Sequence, residues 1–398
     1  MQKANTEKPN MLYSFFIGVL LFSLTCLYKE ETTKYYYLII IIEAIFSIIA
    51  FLHNKYSIKN INKCMFLLWL FMVFIMYSQY ASLFPNYGNY SSRYINMHLI
   101  ITLVVIAILI GVTTDKMIKT MCVGSAIGSI LSIIYVIINE KDILRLGAER
   151  IGTSASGNVD VFGMYLGIMS IFVLYAFMIE NKKKYSVIYI LQIVFLLLTG
   201  SKQALFYIII SYYMFSVYKN KGKAFKYLKI ILVAALFILL IFNVPVLYNI
   251  LGNRIEIMLV SFGFKIEGVG TSASTDKRMD MISTAFKLFT EHPFFGHGWG
   301  AFAAKSGFGV YSHNTFTEIL VNFGLFGFCF YYSMFFNLLF KLINVKNRTK
   351  EEQLFLVVVI SMLLGDTARI TFSQTALNYI MLFLAYSVVY NKRGINNE

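Results

Sequence analysis

The sequence predicts an all-α, polytopic integral membrane protein with about twelve transmembrane helices. Of the 398 residues, 58% are apolar and only 14% are charged, whereas soluble proteins average about 45–50% apolar and about 25% charged residues. The apolar residues also form a succession of runs that are separated by short, lysine-rich segments. No Ser-, Gly- or Pro-rich linker divides the chain, so we expect a single membrane domain over residues 1–398.

The apolar runs give the positions of the expected spans. A helix needs about 20 mainly apolar residues to cross about 30 Å of hydrocarbon, because lipid offers no hydrogen-bond partner to an open backbone. The runs lie near Met11–Tyr28, Tyr35–His53, Met65–Phe84, His98–Val112, Met121–Ile138, Val159–Ile179, Tyr185–Thr199, Ala204–Tyr218, Ile230–Val246, Phe316–Phe340, Gln353–Ile370 and Ala376–Tyr390. The first run lacks a small-residue cleavage site, so we interpret it as a retained helix. The short seventh and eighth runs are also consistent with a hairpin.

The basic residues predict the orientation in the membrane. Cytoplasmic loops of membrane proteins carry an excess of Lys and Arg. With the amino terminus inside, 21 of the 35 basic residues fall in cytoplasmic segments and 5 in the short external ones, so both termini are expected in the cytoplasm. These loops account for the net charge of +15, and nucleic acid is not an expected partner. The other nine basic residues lie in two longer external loops, 139–158 and 248–314.

The cysteines and histidines indicate no cofactor. The four cysteines lie in or beside apolar runs without paired C-x-x-C spacing, which points to neither a disulfide framework nor a metal site. His292, His297 and His313 lack carboxylate or cysteine partners at the spacing of metal ligands. We therefore expect a metal-independent activity.

The long external loop 248–314 contains an amphipathic helix between Thr275 and Glu291. Its apolar residues recur at helical spacing: Met281, Ile282, Ala285, Phe286, Leu288 and Phe289. The segment is too polar to span, begins near Ser274–Asp276 and stops before Pro293. Arg278 shares the apolar stripe, so its guanidinium either reaches the membrane interface or binds an anion.

Two motifs follow this helix. The Gly-x-Gly-x-Gly run 296–300 permits close approach by another surface, and no Walker Lys-Ser/Thr follows it. Thr315 and Glu318 have the spacing of a capping box, which predicts a helix that starts at Thr315. His313 then lies just before a helix amino terminus, where positive potential attracts phosphate and favours a neutral imidazole. Such an imidazole is either a general base or a packed interfacial histidine.

The order of these residues resembles the O-antigen polymerase and ligase superfamily. The family pattern is an Arg upstream of a Pro-hydrophobic-Gly-x-Gly turn, then a His-Asn pair that opens a helix containing Gly-Leu-x-Gly. The matching elements here are Arg278, the turn 293–298, His313-Asn314 and the run 324–327. Two further stretches fit more loosely: Arg150-Ile151-Gly152 followed by Asn158, and Ser201-Lys202 in place of a Ser-Arg pair. A lysine keeps the charge but not the bidentate fork of arginine.

This resemblance implies a membrane glycosyltransferase of the GT-C type. Such an enzyme polymerises surface polysaccharide, O-antigen or capsule, on the outer face of the bacterial cytoplasmic membrane. It transfers the growing glycan from undecaprenyl diphosphate to the non-reducing end of an incoming lipid-linked repeat unit. The expected partners are thus undecaprenyl-diphosphate-linked oligosaccharide, the lipid bilayer and a chain-length regulator protein.

The resemblance also implies residue roles, since the reaction needs cations at the departing diphosphate and a base at the acceptor hydroxyl. The expected catalytic residues are His313 and Arg278. The expected substrate-binding residues are Lys202, Arg150, Arg254, Asn158, Asn314 and Arg369. For Arg369, an intramembrane ion pair with Asp366 is the alternative.

Two other functions remain open at this point. A ligase of the same superfamily would transfer finished polymer to another acceptor by the same half-reaction. A lipid-linked oligosaccharide flippase or transporter would also have about twelve spans, but such carriers usually contain internal repeats and polar residues at the membrane midplane. Here the halves show no convincing repeat and the polar residues gather at one external surface, which favours an enzyme.

Overall fold

A computed structural model describes most of the second half of the chain and parts of the first. The described residues are 9–27, 38, 41–42, 45, 66–70, 73, 87, 102–103, 114–140, 151–220, 239, 241–245, 248–252, 255–256, 259–260, 266, 273–372 and 376–391. Within these ranges the regular structure is helical, without a strand, which confirms the all-α class.

The described ranges contain α-helices that are numbered here in chain order. They are α1 (Met11–Cys26), α2 (Thr114–Asn139), α3 (Thr153–Ser156), α4 (Val159–Met178), α5 (Tyr185–Thr199), α6 (Lys202–Lys219), α7 (Ala273–Glu291), α8 (Ala301–Lys305), α9 (Thr315–Ile343), α10 (Lys350–Asp366) and α11 (Ala376–Asn391). A short π-helix covers Tyr248–Gly252.

Three helices in the described ranges are long and apolar enough to cross a membrane: Lys116–Asn139 within α2, then α4 and α9. Shorter apolar helices are α1, α5 and most of α11. The predicted spans Tyr35–His53, Met65–Phe84, His98–Val112 and Ile230–Val246 fall mainly outside the described residues. The membrane character is therefore confirmed, while the number of about twelve spans stays a prediction.

The chain divides into two compact units, each described here by itself. Unit 1 takes its described residues from Met1–Lys55, Ala107–Ile257 and Thr349–Ser361, and unit 2 from Tyr56–Ile106, Met258–Arg348 and Met362–Glu398. This division does not test the prediction of a single membrane domain over residues 1–398, which stays a prediction.

Helix α4 forms the centre of unit 1. Its side chains are buried almost along the whole length, and both α5 and α6 pack against it. Gly200 and Ser201 make the only break between α5 and α6, with Gly200 in the left-handed conformation (φ 58°). The predicted seventh and eighth spans thus form consecutive helices of 15 and 18 residues.

In unit 2 the amphipathic helix α7 packs against α8 and α9. Its predicted limits were nearly correct, since it ends at Glu291 and begins at Ala273, a residue or two before the expected caps. The apolar stripe meets the other two helices in one buried cluster: Met281, Ala285, Leu288, Ala301, Phe302 and Val321. This packing fixes α7 against the start of α9.

Helix α9 is broken at Gly324. The backbone there has φ 64° and ψ −166°, a conformation that is accessible almost only to glycine. The break frees carbonyl groups of the preceding turn, and two of them accept hydrogen bonds from the Gly-x-Gly segment. His297 N donates to Val321 O at 2.9 Å, and Gly298 N donates to Asn322 O at 3.0 Å.

Residues of the turn 293–298 also accept hydrogen bonds from the backbone N–H groups that follow the break. Leu325 N donates to Pro293 O at 2.8 Å, and Phe326 N donates to Phe294 O at 3.0 Å. A Cβ at Gly296 would lie 2.6 Å from the Asn322 carbonyl, which is below any real contact distance. The close approach expected for these glycines is therefore real, and the other surface is α9 itself.

The break divides α9 into a short first piece and a long apolar second piece. Residues 325–343 alone make nineteen helical residues, or about 28 Å at the α-helical rise. That length matches the hydrocarbon core of a bilayer. The first nine residues, 315–323, consequently form a separate platform at one end of the span.

Candidate active site

His313 lies in a tight turn directly before α9. Its backbone has φ 55°, in the left-handed region that non-glycine residues seldom enter. The imidazole is partly exposed, and its ring centroid lies 4.4 Å from that of Tyr311. A partly exposed imidazole in a strained turn at a helix amino terminus fits the expected general base.

Asn314, and not Thr315, is the N-cap of α9. Its Oδ1 accepts a hydrogen bond from Thr317 N at 3.2 Å. The predicted capping box is therefore wrong in its partners, although the helix does begin at Thr315. Glu318 does not reach back to the Thr315 backbone, because its carboxylate accepts a hydrogen bond from Ser312 N at 2.8 Å instead.

A second loop, 367–371, is bound to this turn. Asn314 Nδ2 donates to Thr367 O at 3.2 Å, and Thr315 Oγ1 donates to Arg369 O at 2.5 Å. Thr371 N donates back to Thr315 Oγ1 at 3.0 Å. Both residues that follow His313 thus bind the loop 367–371. The predicted site residues Asn314 and Arg369 therefore lie in contacting segments of unit 2.

The alternative ion pair between Asp366 and Arg369 was expected at i, i+3 on one helix. Helix α10 ends at Asp366, so Arg369 belongs to the following turn and does not share a helical face with it. The buried Asp366 carboxylate accepts hydrogen bonds from Tyr332 OH at 2.9 Å and from Thr371 Oγ1. Asp366 therefore anchors the loop through Thr371.

Aromatic packing joins these segments to the Gly-x-Gly run. Trp299 is buried, with ring centroids 5.3 Å from Phe323 and 5.7 Å from Phe372. Tyr379 OH donates to Phe372 O at 2.6 Å. The segments 293–300, 312–324 and 366–372 consequently form one packed body in unit 2.

Arg278 occupies the predicted stripe of α7. It is partly buried, one turn before Met281 in the cluster against α9. Phe286, which the sequence pattern placed on the same face, is half exposed (51%). The buried stripe is thus narrower than predicted, and Arg278 lies along its edge.

The remaining predicted site residues belong to unit 1 or lie outside the described residues. Asn158 caps α4, and its Oδ1 accepts from Asp160 N at 2.9 Å. Lys202 is the first residue of α6, but its side chain is outside the described part of the chain, as are Arg150 and Arg254 entirely. Their substrate contacts stay predictions.

His297 is buried in the Gly-x-Gly turn, and each of its ring nitrogens has a hydrogen-bond partner. Its Nε2 lies 2.8 Å from Leu288 O, and its Nδ1 lies 3.1 Å from Lys305 Nζ. This arrangement suits a neutral ring with Nε2 protonated. Burial, assisted by the nearby charge of Lys305, lowers the pKa of His297 below its ordinary value of 6.5.

Sequence reasoning missed the polar interior of the first part of α9. Glu318 and Asn322 are both buried, and Asn322 Nδ2 donates to Glu318 Oε1 at 3.3 Å. Their spacing of four residues on one face of an apolar helix is a signal that the sequence does contain. Because Glu318 was assigned to a capping box, the sequence analysis did not predict this buried polar pair.

The described residues contain no group of three or more His, Cys, Asp or Glu side chains that could hold a metal ion. Metal independence nevertheless stays a prediction, because part of the chain lies outside these residues.

The fold and this polar turn define a helical membrane protein with a candidate active site at the amino terminus of a broken helix. Residues 187–332 match a family model described as O-Antigen ligase. The match includes Arg278, the Gly-x-Gly turn and His313, and it confirms the resemblance to the O-antigen ligase and polymerase superfamily. Members of this family are membrane glycosyltransferase-like enzymes. A search of curated proteins finds no match to the chain.

Proposed function

We propose that this protein polymerises the repeat units of a surface polysaccharide, O-antigen or capsule. The growing glycan would leave undecaprenyl diphosphate and join the non-reducing end of an incoming lipid-linked repeat unit. The observation that carries the proposal is the turn at His313, to which Asn314 and Thr315 bind the loop of Arg369. The turn that carries His313 and the loop that carries Arg369 are thereby in direct contact.

The reaction makes one glycosidic bond and breaks one glycosyl–phosphate bond. The acceptor hydroxyl oxygen attacks the anomeric carbon, its proton passes to the imidazole of His313, and the diphosphate lipid departs with the bonding electron pair. A general base of this kind typically contributes about 10²–10⁴-fold in rate. This step requires a neutral imidazole, because a free ring nitrogen must accept the proton.

The departing diphosphate needs fixed positive charge. Arg278 and Arg369 are partly buried members of unit 2, and both would bind phosphate oxygens through paired N–H donors. Lys202, Arg150 and Arg254 are further candidates for the diphosphate. Preorganised cations of this kind stabilise the negative charge that develops as the bond breaks.

The proposal places the segment 248–314 on the external face of the cytoplasmic membrane, with both termini in the cytoplasm. A periplasmic reporter fused after Gly309 tests this orientation. Alkaline phosphatase activity from the fusion is the expected result. A fusion that is active only with a cytoplasmic reporter would put His313 on the wrong side for lipid-linked repeat units.

A ligase is the second candidate, because the matching family carries that description. The two activities differ in what a deletion strain accumulates. Loss of a polymerase leaves single repeat units at the cell surface, whereas loss of a ligase leaves long lipid-linked polymer that is not attached. We expect the first pattern.

Complementation of that strain tests the site. The wild-type protein should restore a ladder of long chains, and His313→Ala and Arg278→Ala should leave single units at equal membrane levels. Lys277→Ala is the matched control, since Lys277 is the exposed neighbour of Arg278 on α7. Normal chain lengths in both site variants would show that His313 and Arg278 do not form the active site.

A further inference from the structure

Glu318 is a buried carboxyl group in the first turn of α9, and the proposed reaction does not use it directly. Its exposed fraction is 3%. A buried carboxylate is costly unless hydrogen bonds satisfy it. Glu318 has two such bonds, and each leads to a different part of the site.

The first bond holds the turn that carries His313. Glu318 Oε2 accepts from Ser312 N at 2.8 Å, which fixes the residue directly before the histidine. The Ser312 hydroxyl donates to Asn314 O at 2.9 Å and accepts from Thr317 Oγ1 at 3.1 Å. The residues on both sides of His313 are thus tied to α9.

The second bond leads to the Gly-x-Gly turn. Glu318 Oε1 accepts from Asn322 Nδ2 at 3.3 Å, and Asn322 O accepts from Gly298 N at 3.0 Å. Glu318 and Asn322 therefore form a buried bridge between the two motif segments.

We propose that Glu318 is a positioning residue, which holds Ser312 and thereby keeps His313 in its left-handed conformation. The left-handed backbone of a non-glycine residue persists only where its surroundings fix it. Glu318 provides that restraint from inside the protein. The inference rests on the proposed role of His313 as the base, because positioning has a catalytic consequence only if the imidazole acts.

The bond pattern predicts which substitution the site tolerates. In Glu318→Gln the side-chain oxygen still accepts from Ser312 N. The new amide can donate to Asn322 Oδ1, a buried atom that accepts no hydrogen bond in the described part of unit 2, once the Asn322 amide rotates. Glu318→Ala removes both bonds and leaves the Ser312 N–H unsatisfied. Ser333→Ala, on the exposed side of the same helix, is the matched control.

The first measurement needs no substrate. The full-length protein in lipid nanodiscs is treated with diethyl pyrocarbonate, and the rate of His313 modification is compared with that of the exposed His292 by mass spectrometry. We expect Glu318→Ala to raise the His313 rate about threefold or more, since a lost buried hydrogen bond frees the turn. Glu318→Gln and Ser333→Ala should match the wild type. An unchanged His313 rate in Glu318→Ala would overturn the inference.

The second measurement separates positioning from titration. With lipid-linked repeat units, Glu318→Ala should lower kcat by about 10–100-fold with KM little changed, and Glu318→Gln should keep most of the activity and the pH profile. Loss of activity in Glu318→Gln would show that the carboxyl group itself exchanges protons and would contradict a positioning role. That outcome also decides the question if Glu318→Ala fails to accumulate.

The two measurements distinguish the two proposals. If the wild-type protein makes no polymer while Glu318→Ala still accelerates His313 modification, the proposed function fails and the structural role of Glu318 stands. If the wild-type protein polymerises while the His313 rate is unchanged, the function stands and the inference on Glu318 is wrong.

Discussion

Helices α4 and α9 begin with the same local geometry. Asn158 caps α4 with φ −144° and ψ 119°, and Asn314 caps α9 with φ −148° and ψ 119°. Each cap follows a residue in the left-handed region, Gly157 at φ 69° and His313 at φ 55°. Glycine adopts this conformation at no steric cost, whereas another residue pays about 1–2 kcal/mol. The histidine therefore occupies a glycine-like position at a cost to stability, which is typical of functional sites.

The two helices also differ after their first turns. Helix α4 continues without a break, and its buried residues are almost all apolar. Helix α9 buries Glu318 and Asn322 and then breaks at Gly324 to receive the Gly-x-Gly segment. Helix α4 is thus built for packing, whereas α9 gives up regular helical structure to support the turn at its amino terminus.

Replacing His313 by glycine tests this contrast most strongly. We expect His313→Gly to lose about 10²–10⁴-fold in polymerisation rate, since the base is gone. The same variant should be more stable by about 1 kcal/mol, because the left-handed strain is relieved. Activity assays and thermal unfolding in detergent measure the two effects. His292→Ala is the control, and a stable His313→Gly enzyme with full activity would contradict the account.

Alanine at the two glycines tests the break in α9. A Cβ at Gly324 would lie 2.4 Å from the Phe294 carbonyl, whereas a Cβ at Gly157 meets no atom within 4 Å. We expect Gly324→Ala to cost about 3 kcal/mol in stability through clash and backbone strain. Gly157→Ala should cost only about 1–2 kcal/mol. Equal shifts in melting temperature would argue that the break does not hold the Gly-x-Gly segment.

An aspartate in place of each asparagine cap compares the two helix starts directly. Asp is as good an N-cap as Asn, so Asn158→Asp should retain its cap and the stability of α4. Asn314→Asp loses the donor to Thr367 O and adds negative charge near the proposed diphosphate site. We expect it to lose about tenfold in activity. A comparable loss in Asn158→Asp would instead support the predicted substrate contact of Asn158.

The smallest expected effect is a change in thermal stability at acidic pH. The folded-state pKa of His297 is lowered, so its neutral form stabilises the fold above the ordinary pKa of 6.5. This contribution is lost as the pH falls below 6.5 and through the lowered pKa. The melting temperature of the wild type should therefore drop more steeply below pH 6.5 than that of His297→Gln. Parallel pH curves for the two proteins would show that His297 is not the group concerned.

The residue pattern predicted segments around the candidate site, and tertiary contacts determine how these segments meet. The amphipathic helix α7 and the close approach at the glycines both follow from residue spacing. The role of the His313 turn stays a prediction. The docking of Arg369 on Thr315 could not be predicted, because it depends on contacts between residues 54 positions apart. Glu318 was misassigned since a local capping rule competes with a tertiary contact to Ser312, and the tertiary contact prevails.

The most direct test of the central claim uses the purified protein in nanodiscs with lipid-linked repeat units. Elongated glycan and released undecaprenyl diphosphate are measured together for the wild type and for His313→Ala. The account predicts one released diphosphate lipid for each linkage made by the wild type, and a rate lowered by about 10²-fold or more in His313→Ala. Equal rates of elongation by the two proteins would contradict it.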